Sequence, residues 1–249
     1  MLIVLPPSET KAPGGEHPAI TWEELSFPTL DAPRRAIAAD LVQVCSAEPD
    51  RAREVLGLSE KLRPEVEANA VLESAPTMPA LLRYTGVLYD ALDAPTLGDA
   101  AWERLAIGSA LFGLLSARDR IPHYRLSGGT KLPHGAEVPT MKKRWGKAIS
   151  AVLGEVATEE MVVDLRSGTY QQLGRCPQAV TVRVESVQPD GSRKVVSHFN
   201  KHYKGQLARA LAQADGEATS LDDAVDLSRA AGFTVEAPAT NSREITLVV

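Results

Sequence analysis

The sequence is short of cysteine and of aromatic rings, and it has no long apolar run. Each shortage closes off a class of protein. Two cysteines in 249 residues, Cys45 and Cys176, are too few and too far apart for a disulfide framework, so reduced thiols are expected. No stretch approaches the ~20 apolar residues of a spanning helix, and no membrane partner is expected. The opening Met1-Leu2-Ile3-Val4-Leu5 is too short for a signal-peptide core and has no basic leader, which points to a cytoplasmic protein. Basic excess is lacking too. A net charge of −5 excludes a protein that coats nucleic acid by overall basicity, so any such binding needs a local patch. Repeats, low-complexity tracts and linkers are also missing, and one domain over residues 1–249 is expected. What remains is ordinary for a globular chain: 44% hydrophobic and 24% charged residues, with only 5% aromatics, so aliphatic side chains must fill the core.

Residues 2–5 predict a short buried strand ending at Pro6-Pro7, followed by loop through residue 30. Asp31 predicts a helix cap, with Ile37, Leu41 and Val44 on one face. A second helical run follows Asp50, and Leu56-Gly57-Leu58-Ser59 would turn it into another segment. Helix is expected over 78–93 and 99–106. The nearly uncharged 105–115 suits a buried strand or a short buried helix. Pro139 opens one long helix that places Met141, Trp145, Ile149 and Val152 on a single face. Met161 to Leu165 reads as an interior strand. Val180, Val182 and Val184 alternate with polar residues and meet a Pro189-Asp190-Gly191-Ser192 turn, with a return strand from Lys194 to Phe199. A helix from Asn200 to Ala214 follows, then one opened by Ser220 with Asp223 in reciprocal capping position. Gly232 ends that helix, and a strand is expected over 245–249. Hairpin and alternating patterns mix, so the fold class is α+β, a mixed sheet surrounded by helices.

Charge is segregated. Residues 116–147 carry a net +6 from eight bases and two acids, and residues 193–209 hold five bases without an acid, leaving about −16 elsewhere. On the helix after the hairpin, Lys201 and Lys204 share a face with Gly205 and Ala208 at ~100° per residue. Small residues beside two ammonium groups would let a phosphate approach, and the first helical turn favours an anion. The other reading is a solvated basic face. Arg125-Leu126-Ser127-Gly128-Gly129-Thr130-Lys131 could turn N–H groups towards an anion or be a plain turn. It is not a Walker loop. Ser167-Gly168-Thr169-Tyr170 follows a predicted strand, where ligands often bind, although Ser167 could simply cap a helix. No metal site is expected. His198 and His202 are split by a strand-to-helix junction, and Lys201 and Lys204 would repel a cation. No cofactor is expected either. Cys176 beside Arg175 is either a reactive thiol or a buried inert one.

The same segments resemble the YaaA family of peroxide-stress proteins. Met1 to Lys11, with Pro7-Ser8-Glu9-Thr10-Lys11, is similar to the family's opening strand and Ser/Pro/Lys/Thr loop. Tyr84-Thr85-Gly86-Val87-Leu88-Tyr89 is similar to a Y-x-G-x-x-Y-like helix. Ser109 to Gly129 resembles S-G-L-Y-G-x-L-x-P-x-D-x-I-x-P-Y-R-L-E-M-G, with Gly113, Asp119, Tyr124, Arg125 and Leu126 in place. Trp145 matches the aromatic of the next helix. Asp164 to Tyr170 resembles N-L-A-S-x-E-Y, and Asn200 to Gly205 resembles A-K-K-A-R-G, with Arg209 also matching. Glu9 stands nearer the family's lysine position than Lys11 does, Phe112 replaces a tyrosine and Thr169 an acid, which marks a divergent member.

The resemblance implies a cytosolic protein that limits iron-driven peroxide damage. It also implies an unusual single-domain fold with a helix-hairpin-helix-like element, mapped to Leu56-Gly57-Leu58-Ser59, and binding of duplex DNA without sequence preference. The expected anion-binding residues are Ser8, Lys11, Arg125, Ser167, Tyr170, Lys201, Lys204 and Arg209, gathered in one basic cleft. The alternative is an enzyme acting on a phosphorylated or nucleotide-like small molecule in that cleft. No residue is assigned to catalysis.

Overall fold

The computed structural model describes residues 1–197, 199–238 and 242–249. Its centre is β1 (Leu2–Leu5), buried at every position because it is flanked on both sides by parallel neighbours. One neighbour is β3 (Leu105–Ser109) and the other is β6 (Val162–Asp164). Strands covered on both faces read as continuous apolar runs, which is why Leu2 to Leu5 and Leu105 to Ser109 show no alternation.

Beyond β3 the sheet ends in antiparallel β4 (Gly113–Ser116). Beyond β6 come β7 (Val180–Val187) and β10 (Glu244–Val248), both parallel, then antiparallel β9 (Thr234–Glu236). The short β8 (Arg193–Val195) pairs with the far end of β7, completing a mixed sheet of eight strands. A separate ribbon joins β2 (Thr77–Pro79) to β5 (Arg120–Pro122).

Helices complete the fold: α1 (Asp31–Ala47), α2 (Pro49–Val55), α3 (Arg63–Ala70), α4 (Ala80–Arg83), α5 (Val87–Leu92) and α6 (Asp99–Glu103) precede β3. After β5 come α7 (Met141–Trp145), α8 (Ala148–Glu159), α9 (Gly168–Gln171), α10 (Asn200–Gln213) and α11 (Leu221–Ala230). Ile37, Leu41 and Val44 are buried as their spacing requires. Ser220 and Asp223 form the reciprocal cap predicted for α11.

Several expectations are corrected. Asp31 is the first residue of α1 rather than its cap, and its carboxylate accepts from Arg34 Nη1 at 3.0 Å. Arg34 is fully buried because it serves the carbonyls of Ser26, Phe112 and Leu114. The helix expected over 78–93 is a strand and two short helices, broken at Tyr84 to Gly86. Leu105 and Ala106 belong to β3, not to a helix. The uncharged 105–115 stretch is a strand hairpin. The long helix after Pro139 is two helices, because Gly146 adopts φ 54° and ends α7 after Trp145. The return strand stops at Val195, short of Phe199.

The turn at Leu56 to Ser59 does join two helices. Its Gly57 and Leu58 N–H groups donate to Glu54 and Arg53 of α2, which caps that helix and withdraws them from any phosphate. Among the described residues no helix is long and apolar enough to cross a membrane.

Candidate functional site

From β1 the chain moves to β3 on one side, then later returns to place β6 on the other side. Such a reversal of direction leaves a crevice at the carboxyl ends of the two strands, where open sheets bind ligands. The loops leaving β1 and β6 here diverge around a cleft of about 620 Å³. Its walls include Glu9 from the first loop, Ser167 and Tyr170 from the second, and Asn200, Lys201 and Lys204 from α10. A smaller lobe of about 230 Å³ adjoins it, lined by Ser8, Thr10, Val87 and Tyr89 among others. Pro6, Pro7, Glu9, Leu88 and Lys201 belong to both lobes.

Lys201 and Lys204 are the cations on the cleft walls that form no ion pair among the described residues, and Glu244 on the same walls is likewise unpaired. Lys201 is exposed. Lys204 is half-buried and its Nζ stands 3.5 Å from the Leu165 carbonyl. Burial lowers its pKa, while Asp164 and Glu244 pull in the opposite direction. Neither lysine forms an ion pair with a carboxylate among the described residues. The small neighbours read as room for phosphate do something else. A side chain at Gly205 would lie 2.3 Å from the Leu88 carbonyl, so this glycine lets α10 press against α5. Ala208 is fully buried.

The other predicted residues divide. Ser167 occupies the cap position of α9, yet its hydroxyl makes no capping hydrogen bond, and the residue lines the cleft. Tyr170 accepts from the Gly128 N–H at 3.2 Å, so the Ser127-Gly128-Gly129 turn spends that donor on the tyrosine and presents no anion cradle. Arg125 is already neutralised. It donates to the Glu9 carbonyl at 2.9 Å and pairs with the Glu9 carboxylate at 2.7 Å. Its backbone is clamped by Asn69 in both directions. Arg209 lies outside the cleft, where it donates to the carbonyls of Leu92 and Asp93 at the end of α5. The continuous basic cleft expected from the sequence is therefore narrower: two free lysines, with Glu9 and Glu244 among its walls.

Lys11 sits beneath the first loop, inside rather than on the cleft. Its Nζ donates to the Ser8 carbonyl at 3.0 Å and stands 4.3 Å from the ring centre of Tyr124 and 5.3 Å from that of Tyr84. Desolvation of this ammonium lowers its pKa from 10.5 to about 7. Glu9 and Glu65 oppose the shift, while Arg125 and Arg83 add to it. The two tyrosine hydroxyls meet at 2.7 Å, and Ser109 Oγ meets Tyr124 at 2.7 Å. Burial pushes both phenols above their usual range.

One pair escaped the sequence reading. Arg166 makes a two-pronged bond to Asp164 at 2.9 and 2.8 Å, with both side chains nearly sealed from solvent. The same guanidinium donates to the carbonyls of Tyr170 and Gly174, which fixes the loop carrying Ser167. The signal was an acid and a base two residues apart at the end of an apolar strand. Asn69 gave no local signal at all.

The cysteines are enclosed. Burial raises the Cys45 thiol to about 11 and also raises that of Cys176. Thiolate is the reactive form, so neither site activates a thiol, and the Arg175 neighbour does not change that. The histidine pair weighed as a metal site falls partly outside the described residues, because His198 is one of those not described. Among the described residues no group of three or more His, Cys, Asp or Glu side chains is placed to hold a metal ion.

The family described as peroxide stress protein YaaA matches residues 1–238. A UPF0246 protein of Corynebacterium glutamicum (strain ATCC 13032) is 61% identical over 250 residues, covering 100% of both chains. A UPF0246 protein of Streptomyces coelicolor is 41% identical over 245 residues, covering 96% of this chain and 93% of its own length. A UPF0246 protein of Shewanella piezotolerans is 28% identical over 256 residues and 96% of each chain.

Proposed function

The chain belongs to the YaaA family of peroxide stress proteins, and from that premise we propose that it serves in peroxide protection by binding a small phosphorylated molecule in the cleft between β1 and β6. The observation that carries this reading is the convergence of Lys201 and Lys204, neither in an ion pair among the described residues, on one cavity at the strand ends. A phosphate group supplies the oxygens that two ammonium groups need. Ser167 and Asn200 add polar contacts on the same walls. In this reading protection consists of limiting iron-driven damage through the bound molecule. Direct peroxide reduction by a thiol is disfavoured by the two enclosed cysteines.

Titration calorimetry with inorganic phosphate tests the reading. Lys201→Glu/Lys204→Glu is expected to weaken binding by about 10- to 100-fold, the worth of one or two charge-assisted hydrogen bonds. Phosphate that binds the double variant as well as wild type would remove the cleft from consideration.

Sequence-independent binding of duplex DNA is the second reading. It is favoured by Arg120, Lys131, Lys142 and Lys147, which are exposed and without ion pairs among the described residues. Against it stand the spent Gly57 and Leu58 N–H groups of the 56–59 turn, and the arginines beside that turn, Arg51, Arg53 and Arg63, are already paired with Glu48, Asp50 and Glu60. Duplex affinity measured against salt separates the two. Failure to bind at low ionic strength eliminates DNA and leaves the small ligand.

A further inference from the structure

The cleft has two lobes of different chemistry, and Lys201 belongs to both. The larger lobe is polar where it meets α10 and α9: Lys204, Asn200, Ser167 and Tyr170. The smaller lobe has an apolar wall made of Pro6, Pro7, Val87, Leu88 and the Tyr89 ring. Its rim carries the hydroxyls of Ser8, Thr10 and Thr85.

The wall of the smaller lobe is held in place. The Tyr89 hydroxyl donates to the Pro6 carbonyl at 2.8 Å, tying α5 to the loop after β1. The Tyr89 ring stacks on Tyr84 with centroids 5.7 Å apart. Ser8 Oγ and Thr10 Oγ1 are 3.1 Å apart, and Ser8 Oγ accepts from the Thr10 N–H at 3.2 Å. Thr10 Oγ1 also reaches the Thr85 carbonyl at 3.5 Å, so its own loop and the segment across the lobe both order the Ser8 and Thr10 hydroxyls.

A bare phosphate would use only the lysines and leave an apolar wall against water. A sugar phosphate would present hydroxyls to prolines, valine and leucine. A ring with an apolar face and polar edges suits both wall and rim.

We propose that the ligand is of the nucleotide class, with its phosphate between Lys201 and Lys204 and its heterocyclic ring in the lobe formed by Pro6, Pro7, Val87 and Tyr89. This rests on the phosphate reading above and specifies what the phosphate is attached to. The hydroxyl rim meets the polar edge of the ring, and the apolar wall covers its face. Lys201, at the junction of the lobes, is the one cation that lines both of them among the described residues.

The test compares inorganic phosphate, ribose 5-phosphate and a purine or pyrimidine nucleoside 5′-monophosphate by calorimetry on the full chain. The nucleotide is expected to bind at least about tenfold more tightly than ribose 5-phosphate, the gain from covering one ring. Val87 is 49% exposed, so Val87→Trp should fold, occupy the smaller lobe and abolish that tenfold preference while leaving inorganic phosphate binding intact. Equal affinities for nucleotide and ribose 5-phosphate would overturn the ring assignment but keep the phosphate site. A preference that survives Val87→Trp would overturn it too, by placing the ring elsewhere. If neither phosphate nor nucleotide binds, the phosphate reading itself fails and this inference goes with it.

Discussion

Two polar cavities of this protein look alike in outline and differ in how their charges are served. One, of about 370 Å³, surrounds Asp119. That carboxylate is buried and receives four hydrogen bonds, from the N–H and hydroxyl of Ser26 and from the N–H and hydroxyl of Ser116. Its neighbour Arg118 is held by Asp99 and Glu103. The buried carboxylate and Arg118 have found their partners within the chain, while Glu24 and Arg120 on the same walls form no ion pair among the described residues. The other cavity, between β1 and β6, contains Lys201 and Lys204, which form no ion pair among the described residues although Glu244 shares the walls and acts on Lys204. A satisfied buried charge fixes a loop, whereas a cationic pair left open towards a cavity is available to a ligand.

The contrast breaks most visibly on removal of Asp119. Asp119→Ala strands the Ser26 and Ser116 N–H groups and is expected to cost about 3 kcal/mol in urea denaturation. Phosphate affinity at the lysine cleft should not change. A large loss of phosphate binding with little loss of stability would reverse the roles assigned to the two cavities.

Lys11 sharpens the comparison, since it is a buried cation on the ligand side held by a carbonyl and two rings. Its folded pKa of about 7 lies below the unfolded value of 10.5, so between those values the unfolded chain binds more protons. Stability therefore rises with pH across that window, with a slope approaching 1.4 kcal/mol per pH unit, roughly. Below pH 7 the ammonium is charged in both states and its burial penalty is fully present. Lys11→Met should flatten this segment of the stability–pH curve. An unchanged curve in the variant would show that the ammonium is not what titrates.

The smallest effect is expected at the thiols. With both pKa values raised by burial, Cys45 and Cys176 should react with hydrogen peroxide no faster than an unactivated thiol, read by mass spectrometry of trapped sulfenic acid. Rapid oxidation at either residue would move the peroxide chemistry from the cleft to that cysteine.

Much of the fold was legible where one face meets water. The alternation at Val180, Val182 and Val184 marks β7, and Ser220 with Asp223 marks the start of α11. Legibility fails where an element is covered all round. Residues 105–115 carry no period because both faces of β3 are buried, so strand and helix read alike. It fails again where one residue overrides a good pattern. Met141, Trp145 and Ile149 keep a helical spacing across Gly146, and all three are buried, yet the helix stops between them.

For the cleft, the local motifs pointed to segments that the structure brings together, at Ser8, Ser167 and Tyr170 and on the helix carrying Lys201 and Lys204. They said nothing of partners. Arg125 lies 116 residues from Glu9 and carries the same charge in sequence whether or not that acid neutralises it. Gly205 reads as open space beside lysines until α5 is packed on it.

Composition by itself determined an aliphatic core with unpaired cysteines, short spacings marked β7 and the start of α11, and the ordered series of motifs carried the family resemblance, because these depend on residue types and local order. Which cations stay free was decided only by the tertiary structure. Electrostatic energy depends on distance and dielectric, and both arise when the strand order brings the loops after β1 and β6 together beneath α10.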